Sequence, residues 1–242
     1  MAGGYKMKLK QLVEKEIKRH AEEECKKGRE SCGIIAKDKY IRCENIAEEN
    51  NNFEIDSNEV AKYIVDGSLR AIVHSHIDNF HLSKEDMIGQ IKSAVPWGVV
   101  NVTNGTARGI HFWGESLPIK DLIGREFIHG SQDCYGLVRD YYNKEKDTKL
   151  EQFPRDNFWW SNGEDLLSKE NFESVGFHEI DMSGLKVGDV VLFSIRANVV
   201  NHSAVYIGNG EVLHHLSNRL SRREPIHIWN KYIVCFLRYK GE

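Results

Sequence analysis

Two groups of residues in this sequence have types and spacings suited to breaking bonds. The first begins at Cys134 in SQDCYGLVRDYY, where a helical pattern starts. The unpaired N–H groups of a first helical turn, together with the helix dipole, stabilise a thiolate. The expected pKa is therefore low, and Cys134 is a candidate nucleophile. His202, in the strand-like run NHSAVYIG, is the candidate base, and His214 follows in GEVLHHL after the turn Gly208-Asn209-Gly210. On adjacent antiparallel strands the two imidazoles would lie side by side, the second orienting the first as the third member of a triad does. A lone cysteine is more often a small buried hydrophobe. The combination is what points to a cysteine hydrolase.

The second group lies in AIVHSHIDNFHLSKED. His74 and His76 are two apart, so strand periodicity points both to one face. Neutral imidazoles suit zinc, Asp86 is the natural third ligand, and a fourth position would hold water whose pKa falls towards roughly 7. An isolated His-x-His is a weak signal, and Ser83 with Asp86 three residues on also has the form of a helix N-cap. The two readings are compatible. Asp78 and His81 are spare candidate ligands of types common in solvated loops.

Elements must bring these groups together. From Leu9 to Cys25 apolar residues recur at helical spacing, with Gly28 as a stop. Strand-like runs follow (CGIIAK, KYIRCENI, LRAIVHSH), then a helical stretch from Lys84 to Ala94, then WGVVNVT and ARGIHFW around the turn Asn104-Gly105. Periodicity is lost in GESLPIKD, which places a boundary between a first domain, 1–115, and a second, 119–242. The second opens with a helix from Cys134 to Asn143 and closes with the strands DVVLFSI, HSAVYIG, EVLHHL and YIVCFLRY. The expected fold class is α+β in two domains.

Composition narrows the function classes. A length of 242 residues suits two domains better than one. The net charge is −3 and no block of like charge suggests a nucleic-acid arm, so no nucleic-acid partner is expected. The five cysteines are odd in number and lack CxxC spacing, which argues against a disulfide framework or zinc ribbon and for a reducing site of synthesis. The opening MAGGYKMKLKQLVEKEIKRH is basic without a following apolar stretch, unlike a secretory signal. No apolar run approaches the roughly 18 residues needed to cross a bilayer. A soluble, cytoplasmic product without membrane insertion is expected.

DCYGLV (Asp133 to Val138), GDVVLF (Gly188 to Phe193), NHSAVYIGNG (Asn201 to Gly210) and His214 together resemble the NlpC-type cell-wall endopeptidases, over about Ile119 to Tyr239. The resemblance implies a papain-like domain in which Cys134, His202 and His214 hydrolyse peptidoglycan stem peptides, typically next to D-glutamate and a diamino acid. The chain has Tyr135 where the family usually has serine, and Phe127 where it has a tyrosine whose hydroxyl helps the oxyanion. Backbone N–H groups near Cys134 would then supply that role. Because stem peptides carry carboxylates, an arginine is expected to line the Cys134 cleft.

The segment from Leu9 to Trp113 resembles the JAMM (MPN) metalloprotease motif. That resemblance implies an α/β sandwich with His74, His76 and Asp86 as Zn2+ ligands, Glu30 in RESCGII as acid/base and Ser83 as an oxyanion donor. Six residues separate His76 from Ser83 where seven are usual, and Ile77 replaces the common proline. The order of the two domains resembles the tail-assembly proteins of lambda-like tailed phages. It implies peptidoglycan stem peptides and other tail tip proteins as partners, and a location in the host cytoplasm during assembly and then at the virion tail tip. A structural tail component with vestigial motifs, and a protease that processes other tail proteins, stay open as alternatives. Phe158, Trp159 and Trp160 are expected in a core or pocket wall, and Arg219, Arg222 and Arg223 in a solvated charged turn.

Overall fold

The computed structural model describes residues 10–241. They divide into two compact units, one running to His81 and including Ile88–Pro118, the other beginning at Ile119 and grouped with the short stretch Leu82–Met87.

The first unit is built on a five-stranded sheet. Its strands are β1 (Cys32–Ala36), β2 (Lys39–Cys43), β3 (Leu69–Ile77), β4 (Trp97–Thr103) and β5 (Thr106–Trp113), in the order β2-β1-β3-β4-β5. Only β3 and β4 pair in parallel. They can do so because the helix α3 (Lys84–Ser93) lies between them in sequence, giving the long crossover that parallel strands require. Helix α1 (Gln11–Cys25) buries Val13, Ile17 and Ala21 against Ile35, Ala71, Val73, Val100 and Val102. Leu9, expected to open this helix, lies outside the described residues. The alternate residues of β1, Cys32, Ile34 and Ala36, pack with Val60 of α2 (Ser57–Val65). β1 is therefore buried on both faces. Helix α2 is not anticipated by periodicity, because Val60 is its one buried residue and Asp56 starts it by accepting the Asn58 N–H.

In the second unit, α4 (Cys134–Lys146) packs on a six-stranded sheet with α5 (Lys169–Ser174) beside it. The strands are β6 (Phe177–Ile180), β7 (Val190–Phe193), β8 (His202–Gly208), β9 (Glu211–His214), β10 (Arg222–Pro225) and β11 (Ile233–Tyr239), in the order β10-β9-β8-β7-β11-β6. All their pairings are antiparallel. One face buries Val190, Leu192, Val205, Leu213 and Leu237 against Tyr135, Leu137, Val138 and Tyr142 of α4. The other buries Val191, Phe193, Ala204 and Val212 with Trp229. Each such side chain contributes roughly 1.5–3 kcal/mol, enough to hold both faces without disulfides.

The structure corrects two local expectations. Arg222 and Arg223 stand on the edge strand β10, with Arg222 opposite His214, rather than in a solvated turn. Charge on an edge strand discourages pairing with another chain. Trp159 is buried, as expected of a core residue, but Phe158 is 58% exposed. Among the described residues no helix is long and apolar enough to cross a membrane.

Candidate active and metal sites

Helix α4 starts at Cys134 because Asp133 caps it. With extended backbone, Asp133 accepts the Gly136 N–H on Oδ1 at 2.9 Å and the Gly130 N–H on Oδ2 at 2.8 Å. Gly136 has to be a glycine, since a Cβ there would sit 2.2 Å from the Ser131 carbonyl oxygen. The same Oδ2 receives the Arg155 guanidinium at 2.5 Å, and both partners are buried. Burial alone would raise the Asp133 pKa, but Arg155, His129 and the Gly136 N–H hold it below the usual carboxylate range. The residue before Cys134 is thus locked by a buried ion pair. Arg155 is committed to that pair and to the Phe153 carbonyl, so it does not present itself to a substrate.

The thiol departs from expectation. Burial pushes Cys134 up to about 11, the Asp133 charge adds to the rise, and Arg155 and Ser203 oppose it. Desolvation is the largest influence on the thiol, and it acts against the stabilisation that a helix start offers a thiolate. Ser203, next to His202 on β8, is the neighbour that with Arg155 opposes the rise, and its buried hydroxyl has no hydrogen-bond partner among the described residues.

His202 and His214 meet across β8 and β9, with His202 Nε2 3.0 Å from His214 Nδ1. The polar chain continues, for His214 Nε2 lies 3.2 Å from Glu224 Oε2 on β10. Glu224 also accepts the Trp229 Nε1–H at 3.0 Å and pairs with Arg222. Phe193 and Trp229 wall the His202 ring. Burial lowers the His202 pKa well below its ordinary value, His214 and His215 lower it further, and Asp133 opposes them. Among the described residues no hydrogen bond joins Cys134 to His202. Both shifts favour a neutral thiol and a neutral imidazole, the state from which a general base removes a proton as a sulfur attacks. Phe127, in the place of the expected tyrosine, packs edge-on against His215 with ring centroids 5.3 Å apart and offers no hydroxyl.

Sequence reasoning missed Arg155, Ser203, Glu224 and Trp229. Asp133 carried a readable signal, since an acidic residue just before a helix is a favoured cap. Ser203 lies inside the quoted NHSAVYIGNG run without a signal of its own, and Arg155, Glu224 and Trp229 lie in segments with no pattern tied to Cys134.

The second group is assembled locally. His74 and His76 on β3 are buried, and their Nε2 atoms lie 3.0 Å apart. Phe53 stacks on His74 at 4.3 Å, with Trp97 and Trp113 edge-on. Asp86 in the first turn of α3 joins them, with one ligand atom from each of the three residues lying within 4.8 Å of the others. Ser83 caps α3 reciprocally: the Asp86 N–H donates to Ser83 Oγ at 3.0 Å, and the Ser83 N–H donates to Asp86 Oδ2 at 2.8 Å. The donor set fits zinc, because two nitrogens at 2.0–2.1 Å from a tetrahedral ion would be about 3.3 Å apart. In the β1–β3 register Cys32 faces His74, and Ser31 and Ser75 exchange bonds of 2.8 and 3.0 Å. Glu30, one residue before Ser31, is buried. Asp78 and His81 stand outside the cluster.

Comparison with known proteins gives these sites a context. Residues 123–238 match the NlpC/P60 family. The chain is 32% identical over 220 residues to tail tip assembly protein K of Escherichia phage N15, covering 88% of this chain and 88% of that protein. It is 38% identical over 159 residues to tail tip assembly protein K of Escherichia phage lambda, covering 65% of this chain and 75% of that protein. Among solved structures, the NlpC/p60 domain of peptidoglycan hydrolase SagA aligns with 48% of this chain and 89% of that one, at 17% identity and a TM-score of 0.36, a likeness too weak to carry an inference. The chain belongs to the family of phage tail tip assembly protein K, and it carries an NlpC/P60 domain.

Proposed function

We propose that this protein works in phage tail tip assembly and cuts peptidoglycan stem peptides with Cys134 as nucleophile, His202 as base and His214 as its orienter. The observation that carries the reading is the bonded pair of buried imidazoles on β8 and β9, on the sheet against which the helix that starts at Cys134 packs. The sulfur attacks the peptide carbonyl while its proton passes to His202. The amine then leaves with that proton, and water cleaves the resulting thioester. Backbone N–H groups at the start of α4 receive the oxyanion in place of the missing tyrosine hydroxyl.

At the second group, His74, His76 and Asp86 would hold zinc, with Glu30 as acid/base and the Ser83 hydroxyl as oxyanion donor. Bound there, the metal would supply an acidified water for a second, JAMM-type peptidase activity. Other tail tip proteins are the proposed partners, first in the host cytoplasm and then at the tail tip.

Release of stem peptides from isolated sacculi tests the main reading. Wild type should release them, and Cys134→Ala should lose release by on the order of 10⁴-fold or more with unchanged circular dichroism. Undiminished release by that variant would overturn it. A second reading, a structural tail protein with silent motifs, is favoured by Phe127 and by the absence of a Cys134–His202 hydrogen bond. It predicts no release by wild type.

A further inference from the structure

We propose that Glu224 is a positioning residue that sets the tautomers of His214 and His202, leaving Nδ1 of His202 as the nitrogen that takes the thiol proton. The proposal rests on the hydrolase reading above for its chemistry, but its geometry stands by itself.

The argument is a proton inventory along three side chains. A neutral imidazole has one N–H and one bare nitrogen, and an ionised carboxylate can only accept. Glu224 Oε2 lies 3.2 Å from His214 Nε2, so that nitrogen carries the hydrogen. His214 Nδ1 is then bare and must accept. Its partner at 3.0 Å is His202 Nε2, which must therefore donate. His202 is left with its lone pair on Nδ1, the nitrogen that does not face His214. The opposite tautomer of His202 would set two lone pairs against each other across 3.0 Å.

Glu224 is itself held on several sides. Trp229 Nε1 donates to the same Oε2 at 3.0 Å, Arg222 pairs with the other oxygen, and the β9–β10 register sets Glu224 opposite Val212. The charges facing the imidazoles are few. Arg222 and Arg219 oppose protonation of His214 while Glu224 favours it, and at His202 the neighbours are His214, His215 and Asp133. When His202 becomes an imidazolium during the reaction, Glu224 is the carboxylate at the end of its hydrogen-bonded chain. No motif that marks Cys134 or the two histidines extends to RREP, where Glu224 lies.

The test reads ring nitrogens and kinetics on the full chain. With ¹⁵N-labelled histidine, wild type should show hydrogen on Nε2 and none on Nδ1 for both His202 and His214. Glu224→Gln keeps an oxygen for Trp229 but can turn either an acceptor or a donor to His214. It should give mixed tautomers, a kcat for stem-peptide release lower by about tenfold to a hundredfold with little change in KM, and an acid limb displaced to lower pH. Glu224→Asp, which restores the charge, should recover part of kcat and the wild-type limb. A wild-type His202 protonated on Nδ1, or a Glu224→Gln chain with unchanged tautomers and kcat, would overturn the proposal. Because the tautomers are read without substrate, wild type with these tautomers but no stem-peptide release would support the positioning role while sinking the hydrolase reading.

Discussion

The two candidate sites are built in opposite ways. His74, His76 and Asp86 come from one strand and the first turn of the next helix, and the group is completed by a reciprocal cap. Cys134, His202, His214 and Glu224 come from a helix and three strands spread along the second unit, and a buried ion pair sets the residue before Cys134. A local site inherits its geometry from backbone rules, here the two-residue period of a strand and the spacing of a helix cap. A long-range site must hold its parts with buried polar groups, each of which costs stability if left unpaired.

The sharpest way to break this contrast is to remove the charge at Asp133. Asp133→Asn keeps the cap but leaves the buried Arg155 unpaired, and urea unfolding at pH 7 should show a loss of about 3–5 kcal/mol. A loss no larger than that of an ordinary cap would erase the distinction. Next is the thiol. With Cys134 pushed up to about 11, its alkylation by iodoacetamide should rise about tenfold per pH unit from pH 7 to 9. At pH 8 it should run about a hundredfold slower than that of a free cysteine, whose pKa is near 8.5. A rate that levels off near pH 7 would mean that the helix start prevails over burial. On the other side of the comparison, His74→Ala should weaken zinc binding by about a hundredfold or more in a chelator competition. Unaltered affinity would remove His74 from the ligand set. The smallest effect belongs to Ser83→Ala, which should cost about 1 kcal/mol in unfolding because the Ser83 N–H still holds Asp86.

The same contrast explains what was legible in the sequence. His74, His76, Ser83 and Asp86 could be grouped by counting along the chain, since their proximity follows from local periods. Cys134, His202 and His214 were legible as residue types on recognisable elements, and β7, β8, β9 and β11 could be read from their apolar runs. α5 and β10 were not. α5 is six residues long with Phe172 as its one buried side chain, and β10 is an edge strand of charged residues without an apolar period. Arg155, Ser203 and Glu224 act through contacts between distant segments, which spacing does not encode. The thiol shows the same limit. A helix start can be read from Asp133 and the pattern after it, but the desolvation that opposes it depends on what the rest of the unit brings around Cys134.

The order of β10-β9-β8-β7-β11-β6 also bears on when this unit can exist during synthesis. Its last strand, β11, occupies an interior place between β7 and β6 rather than an edge. The three candidate metal ligands have all been made by Asp86, and the sheet that carries His74 and His76 has all its strands by Trp113, while later residues are still being added. The cysteine unit has no such early state. A nascent chain that had reached Tyr232 would carry Cys134, His202, His214 and Glu224, yet still lack the strand that joins the two parts of the sheet.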